Sequence, residues 1–340
     1  MKVALDAMGG DHAPREIVEG AVRAARSRGT EVVLVGDTAA VQAELARVCR
    51  GNIPPSISIH HTTEVIGMGE APATACKTKK DSSIMVSARL AKEGLVTGFV
   101  SAGNTGACMA ASFLVMGRLE GVQRPAIPVP IPHRRGVTVV LDAGANVDAR
   151  ATHLAQWAVF GEVYAEKIFG VARPRIGLLN VGEEEGKGGE VVNEAFELLK
   201  GSKLNFIGNV EGRDIVNGKV DVVVCDGFLG NVVLKLAEGV GREMFDWLRD
   251  SYREAGPLAK LGAFLSMPVF RKLKKAFDPA TYGAQPLLGV DGICMITHGS
   301  ASALAIDNAL RVAETYHTQH ANNEIKERLK ASGFGRGSQA

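Results

Sequence analysis

Glycine, asparagine and acidic residues gather at five places where short β-prone runs end. These are Ser101–Gly106 (SAGNTG), Asp142–Asn146 (DAGAN), Asn180–Gly189 (NVGEEEGKGG), Asp226–Asn231 (DGFLGN) and Thr297–Ser302 (THGSAS). Glycine lets a main chain approach an anion and take positive φ, and Asn and Thr add donors without charge. One such loop is as readily a plain βα turn, but five favour a site that wraps a phosphate or an oxyanion. Gly103, Asn104, Thr105 and Gly106 are candidate phosphate contacts, and Asp142, Asn146, Asp226, Gly227 and Gly230 line or organise the neighbouring loops. Lys187 is a candidate cation for a phosphate or a developing oxyanion, Asn231 a donor to a reacting carbonyl, and His298 a general acid. Each has a plainer reading beside it. Lys187 would be a solvated charge next to Glu183-Glu184-Glu185, Asn231 a helix cap, Asp142 and Asp226 partners of loop amides, and His298 a capping or core histidine.

Familiar nucleotide and hydrolase motifs fail when tested. Gly182 to Lys187 has three residues between its glycines and Gly188 after the lysine, which breaks the Walker A spacing. Neither Gly67-Met68-Gly69 nor Gly239-Val240-Gly241 extends to GxGxxG, and no GxSxG elbow occurs. His60-His61 and His317/His320 have ligand-like spacing without a carboxylate or Cys cluster to join them, so no metal and no cofactor is expected. Five scattered cysteines without a CxxC pair read as reduced thiols, and the charges at Asp6 and Asp11 speak against a signal peptide. Thirty-nine basic against 37 acidic residues, net +2, argues against nucleic acid as a partner.

The loops need a frame to hold them. Strand patterns at 2–6, 31–36, 56–60, 96–101, 137–142, 175–180, 204–207, 220–225 and 293–297 alternate with helical patterns, including 151–169, 190–200, 229–250 and 300–314. A proline-bearing run at 126–130 reads as an edge strand. The alternation predicts an α/β fold, three layers with a largely parallel central sheet. No internal repeat or linker is evident, so residues 1–332 are expected to form one unit and 333–340 a disordered tail. Gly94 to Gly117 carries no charge, but the SAGNTG turn at its centre suits strand, turn and helix better than a membrane span.

Residues 251–282 stand apart as an amphipathic basic helical hairpin. Pro257 to Phe277 contains Lys260, Arg271, Lys272, Lys274 and Lys275 and no acid. Leu258, Leu261 and Leu265 form an apolar stripe at helical spacing with Phe264 nearby, and past Pro268 Phe270, Leu273 and Phe277 repeat at i, i+3, i+7 between the bases. A buried dimer contact, an interfacial membrane contact and docking of an acidic protein all fit. Four bases within five residues favour surface binding.

Six segments taken together resemble the PlsX family, the acyl-ACP:phosphate acyltransferases. They are VALDAMGGDHAP (3–14), KKDSS (79–83), SAGNTGA (101–107), LDAGAN (141–146), NVGEEEGKG (180–188) and CDGFLGN (225–231), in order along nearly the whole chain. The resemblance implies an α/β/α fold similar to phosphotransacetylases and isocitrate-dehydrogenase-like proteins, and a homodimer. It also implies transfer of a long acyl chain from acyl carrier protein to inorganic phosphate. The acyl phosphate would feed a membrane glycerol-3-phosphate acyltransferase, which places the protein in the cytoplasm against the inner face of the membrane. A CoA-dependent phosphotransacetylase and a non-catalytic, membrane-attached scaffold for carrier protein are the alternatives.

Overall fold

The computed structural model describes residues 1–335. Eleven strands divide between two sheets among the described residues. The first sheet holds β1 (Lys2–Asp6), β2 (Glu31–Gly36), β3 (Ile57–His61), β4 (Gly98–Ser101), β10 (Gln285–Pro286) and β11 (Ile293–Ile296), in the order β10-β11-β4-β1-β2-β3. The second holds β5 (Val129–His133), β6 (Gly136–Leu141), β7 (Ile176–Leu179), β8 (Phe206–Val210) and β9 (Val222–Val224), in the order β5-β6-β9-β7-β8. All pairings are parallel except β5 with β6 and β10 with β11 at the sheet edges. The proline-bearing strand is thus an edge, as its missing N–H groups require, although it begins at Val129 rather than 126.

Strands such as VALD and VVLVG are apolar on both faces because helices cover both. The helices are α1 (Arg15–Arg28), α2 (Thr38–Cys49), α3 (Pro72–Thr78), α4 (Ser83–Lys92), α5 (Thr105–Ala111), α6 (Ala151–Phe169), α7 (Glu190–Lys200), α8 (Asp214–Asn217), α9 (Gly227–Glu254), α10 (Pro257–Leu265), α11 (Met267–Phe277), α12 (Pro279–Tyr282), α13 (Ala303–Thr318) and α14 (Ala321–Ser332). The uncharged run from Gly94 resolves into β4, the glycine turn, α5 and a π turn at Ser112–Met116. No helix among the described residues is long and apolar enough to cross a membrane.

The alternation alone is satisfied by one central sheet, and helix packing explains why there are two. Helix α6 is apolar nearly all round, with Trp157 and Phe160 fully buried. One continuous apolar cluster runs from Leu5 and Val100 of the first sheet through these rings to Leu141 and Leu178 of the second. Position 161 must be glycine, since α6 rests directly on Val222 there. Helix α14 docks on α6 through Arg328, which reaches Glu162 at 2.8 Å, Glu166 at 2.6 Å and Glu324 at 2.8 Å. Beyond α14, the Phe334 carbonyl accepts from Gln156 Nε2 at 2.6 Å, so the chain is docked through the start of the expected tail. Residues 336–340 of that tail lie outside the described residues.

The basic segment forms an excursion longer than residues 251–282. Helix α9 leaves the second sheet, α10 follows it, and α11 returns along α9. The pairing of Tyr252 with Phe270 (5.8 Å between ring centres) and of Phe245 with Phe277 (6.3 Å) fixes the antiparallel run of α9 and α11.

Candidate active site

The expected site residues fall on two separate strand-end clusters, one per sheet. The cluster on the second sheet is built around Asp142. Its carboxylate is fully buried and accepts from the Ile127 amide at 3.0 Å, the Ala145 amide at 3.2 Å, the Asn146 amide at 2.7 Å and Asn146 Nδ2 at 3.0 Å. Burial pushes its pKa above the ordinary carboxylate value, although these donors oppose the shift. Asn146 also donates to the Pro125 carbonyl at 2.7 Å, and its own carbonyl accepts from the Gly227 amide at 2.8 Å. Three chain segments, 125–127, 142–146 and 226–231, are thereby tied together.

Two glycines let α9 start against this knot. A methyl group at 227 would lie 2.5 Å from the Asn146 carbonyl oxygen, and one at 230 would overlap the Asp142 carbonyl oxygen. Their role is close packing of main chains. Asp226 caps α9 by accepting from the Leu229 amide at 2.8 Å. That leaves Asn231, one turn into the helix, free of capping duty. It is exposed, it lies over the Gly144 main chain, and its amide has no protein partner among the described residues. Cys225, just before the turn, is buried with its thiol pKa pushed well up by burial, which disqualifies it as a thiolate nucleophile. A cavity of about 260 Å³ opens beside the turn, walled by Val147, Leu179, Val191 and Leu229 together with Asp148 and Asp226.

Lys187 sits in the loop after β7, the strand next to β9. Its ammonium is half exposed and 3.3 Å from Glu184. Each neighbouring glutamate also has a cation: Lys219 lies 2.8 Å from Glu183 and Lys200 2.9 Å from Glu185. Asn180 holds the loop by donating to the Lys187 carbonyl at 2.8 Å, and Asn209 by donating to that of Glu184 at 3.0 Å. The acidic run is therefore neutralised where it stands, and Lys187 is presented on a pinned loop.

On the first sheet, three of the four residues expected to cradle phosphate are engaged within the loop itself. Asn104 is buried, accepts from the Ala107 amide at 3.0 Å as the cap of α5, and turns Nδ2 toward the carbonyls of Gly67, Met68 and Glu70 at 3.0–3.3 Å. The Gly103 amide donates to Ser101 Oγ at 3.0 Å, and a methyl at 106 would lie 2.5 Å from the Pro72 ring. These residues build the loop, and only Thr105 of the four is exposed. His298 is also exposed and belongs here; its Nδ1 accepts from the Ser300 amide at 3.2 Å, and it makes no bond to the Asn231 turn.

Asp6 is the residue that sequence reasoning missed. Its buried carboxylate accepts from Ser101 Oγ at 2.6 Å and the Met8 amide at 3.2 Å, joining the β1 and β4 loops as Asp142 joins those of the second sheet. The signal was present, since Leu-Asp-Ala occurs at 5–7 and again at 141–143, each time where a strand ends.

On the basic excursion, Leu258, Leu261, Phe264 and Leu265 all lie on α10 and are 54–86% exposed. Phe270, expected as a further membrane contact, packs on Tyr252 of α9. Helix α9 itself carries a second exposed apolar row, Leu229, Val232, Leu236, Val240, Met244 and Trp247, at helical spacing. Among the described residues no group of His, Cys, Asp and Glu is arranged to hold a metal ion.

The fold of two mostly parallel sheets is shared with phosphotransacetylases. The phosphotransacetylase of Streptococcus pyogenes superposes with a TM-score of 0.64 at 19% identity, covering 93% of this chain and 94% of that one. The branched-chain phosphotransacylase of Enterococcus faecalis gives 0.57 at 13% identity, covering 93% and 98%. Sequence relatives narrow the class. A family model described as fatty acid synthesis protein matches residues 1–324. The phosphate acyltransferase of Pelotomaculum thermopropionicum is 48% identical over 332 residues, 98% of this chain and 95% of its own. That of Geotalea uraniireducens is 50% identical over 331 residues, 97% and 94%. The chain belongs to the phosphate acyltransferase (PlsX) family of fatty acid and phospholipid synthesis, and it is an acyltransferase.

Proposed function

We propose that the protein transfers a long-chain acyl group from the thioester of acyl carrier protein to inorganic phosphate. A phosphate oxygen attacks the thioester carbonyl, the C–S bond breaks, and the thiolate leaves with the acyl phosphate as the other product. Phosphate is already ionised near neutrality, so the reaction needs positioning and charge compensation more than a base. The exposed, unpartnered Asn231 amide over the Gly144 main chain carries this reading, on the turn whose Leu229 helps to wall a cavity of mixed polarity. It would donate to the oxyanion as the acyl chain enters the cavity, and Lys187, relinquishing Glu184, would offset the meeting of two anions. Thr105 is the remaining contact offered to phosphate by the first sheet. The buried, protonated Cys225 supports direct attack over an acyl-enzyme.

The acyl phosphate would pass to a glycerol-3-phosphate acyltransferase in the membrane, with this protein in the cytoplasm against its inner face. The four exposed apolar residues of α10 beside the bases of α11 support surface attachment. Anionic liposomes test that part: Leu261→Glu with Phe264→Glu should abolish co-sedimentation, and undiminished binding would refute attachment through α10. The apolar row of α9 from Leu229 to Trp247, about 27 Å long at 1.5 Å per residue, supports a homodimer in which two copies cover it. A CoA-dependent reaction is the second reading, favoured by the fold shared with phosphotransacetylases. Comparing kcat/KM for acyl carrier protein thioesters and for acetyl-CoA separates the two. Preference for acetyl-CoA would overturn the first.

A further inference from the structure

Two arginines at the border of the Asn146 turn have no part in the reaction just outlined. Arg124 precedes Pro125, the residue whose carbonyl Asn146 holds, and its own carbonyl accepts from Trp157 Nε1 at 3.1 Å. Arg150 closes the loop that begins at Asp142, and its amide donates to His153 Nδ1 at 3.1 Å. Both segments therefore meet at the first turns of α6, where His153 and Trp157 stand 5.9 Å apart. Both arginines are exposed, and neither guanidinium forms an ion pair or a hydrogen bond among the described residues. Asp148 is the one acid in the loop from 143 to 150, and it pairs with neither. His153 adds no acidic counterweight. It is buried, and burial, reinforced by the two arginines, holds its pKa below the ordinary histidine value.

The contrast with the other flank of the site is chemical. Around Lys187 every glutamate of the loop is matched by a cation, whereas here two forked cations face solvent unmatched. A guanidinium is weakly hydrated and suits carboxylates and phosphates bidentately, so such a pair is suited to an acidic partner. Its exposure fits a macromolecule arriving from solution better than a small anion enclosed in a cavity.

We propose that Arg124 and Arg150 receive the acidic face of the protein that delivers the acyl thioester and thereby set the thioester beside the Asn231 turn. This assignment rests on the acyl-carrier reading above. Charges at a docking rim act mainly on encounter and on its salt dependence. The test is the Arg124→Ala/Arg150→Ala double variant, assayed with acyl carrier protein thioester and, separately, with acyl-pantetheine, which lacks the protein. With the carrier, kcat/KM should fall at least about tenfold and lose most of its dependence on salt. kcat, the KM for phosphate and the rate with acyl-pantetheine should stay unchanged. An unaltered KM for the carrier overturns the proposal, and so does a rise in KM for phosphate or acyl-pantetheine, which would make the pair a small-anion contact. An Arg150→Glu variant rescued by a Glu→Lys change on the carrier would support direct pairing. If the parent enzyme consumes no thioester, the reaction reading falls, and fluorescence anisotropy with acyl-free carrier protein still decides the arginines. Binding equal in parent and double variant refutes them.

Discussion

Replacing Gly230 by alanine should separate the fold from the site. The methyl group would overlap the carbonyl oxygen of Asp142 and lie 2.9 Å from its carbon and 3.2 Å from the Ala143 Cα. All these neighbours are main chain, so no side chain can swing aside. Either the first turn of α9 or the end of β6 must retreat, by roughly 1 Å, to restore tolerable contact, at about 1–3 kcal/mol of overpacking cost. Asn231 is the next residue and moves with the turn. A displacement of that size typically lowers a reaction rate about a hundredfold when the displaced group positions or stabilises the transition state. Steady-state turnover of acyl carrier protein thioester with phosphate should thus fall about a hundredfold, while circular dichroism still reports the parent fold. Gly239 provides the control on the same helix, because a methyl there meets nothing within 4 Å. Gly239→Ala should leave turnover intact and stabilise the helix by up to ~1 kcal/mol in urea unfolding. Gly230→Ala turning over within about threefold of the parent would refute the claim that this close approach places the reacting donor.

Three further outcomes follow from the same geometry. Asn231→Ala and Lys187→Ala should each lower kcat at least about a hundredfold with folding intact, the usual consequence of losing one preorganised donor or cation; near-parental rates in both would sink the assignment. Burial holds the Asp6 carboxyl above its ordinary value, against hydrogen bonds from Ser101, Ser83 and the Met8 and Gly9 amides. The native state therefore binds this proton more tightly than the unfolded chain, an advantage lost as pH rises from about 4 through the folded value. Asp6→Asn should accordingly show a shallower loss of unfolding free energy over that rise, read from urea midpoints, and an identical slope would contradict it. Leu236→Glu with Met244→Glu should convert a dimer to monomers in sedimentation, since it places charge in the middle of the exposed row on α9; an unchanged mass would remove that row from the interface.

What could be read from the sequence was set by periodicity and by chemistry local in the chain. Helix α6 lies where its pattern placed it, and the glycine-rich loops do stand at strand ends, because alternation and turn residues are short-range signals. The division into two sheets was not legible. It depends on how the all-round apolar α6 is sandwiched, and a buried helix carries no directional stripe. The loop at 101–106 shows a second limit. Its glycines and Asn104 have the composition of an anion cradle, yet Pro72 and the carbonyls of 67–70, some 30 residues away in sequence, occupy the space and the donors. Conversely, Asp142 and Asn146 were legible as loop organisers because the bonds between them lie within one motif, whereas their partners Ile127 and Pro125 lie outside it. The importance of Asp6 was written in a repeated tripeptide, but its partner Ser101 is 95 positions away. Phe270 and Phe277 illustrate the same point on the excursion, where helical spacing gave their repeat and only the return of α11 along α9 shows that they pack on Tyr252 and Phe245.

In the proposed reaction inorganic phosphate itself attacks the thioester. Acyl carrier protein loaded with a radiolabelled long-chain acyl group is incubated with the protein and phosphate, and the acyl product is extracted away from residual carrier thioester before hydroxylamine, which cleaves thioesters too, is added. Acyl hydroxamate from the extract should saturate with phosphate and match the free carrier thiol released before extraction. Thiol release without phosphate, or with free fatty acid as the only labelled product, would contradict it.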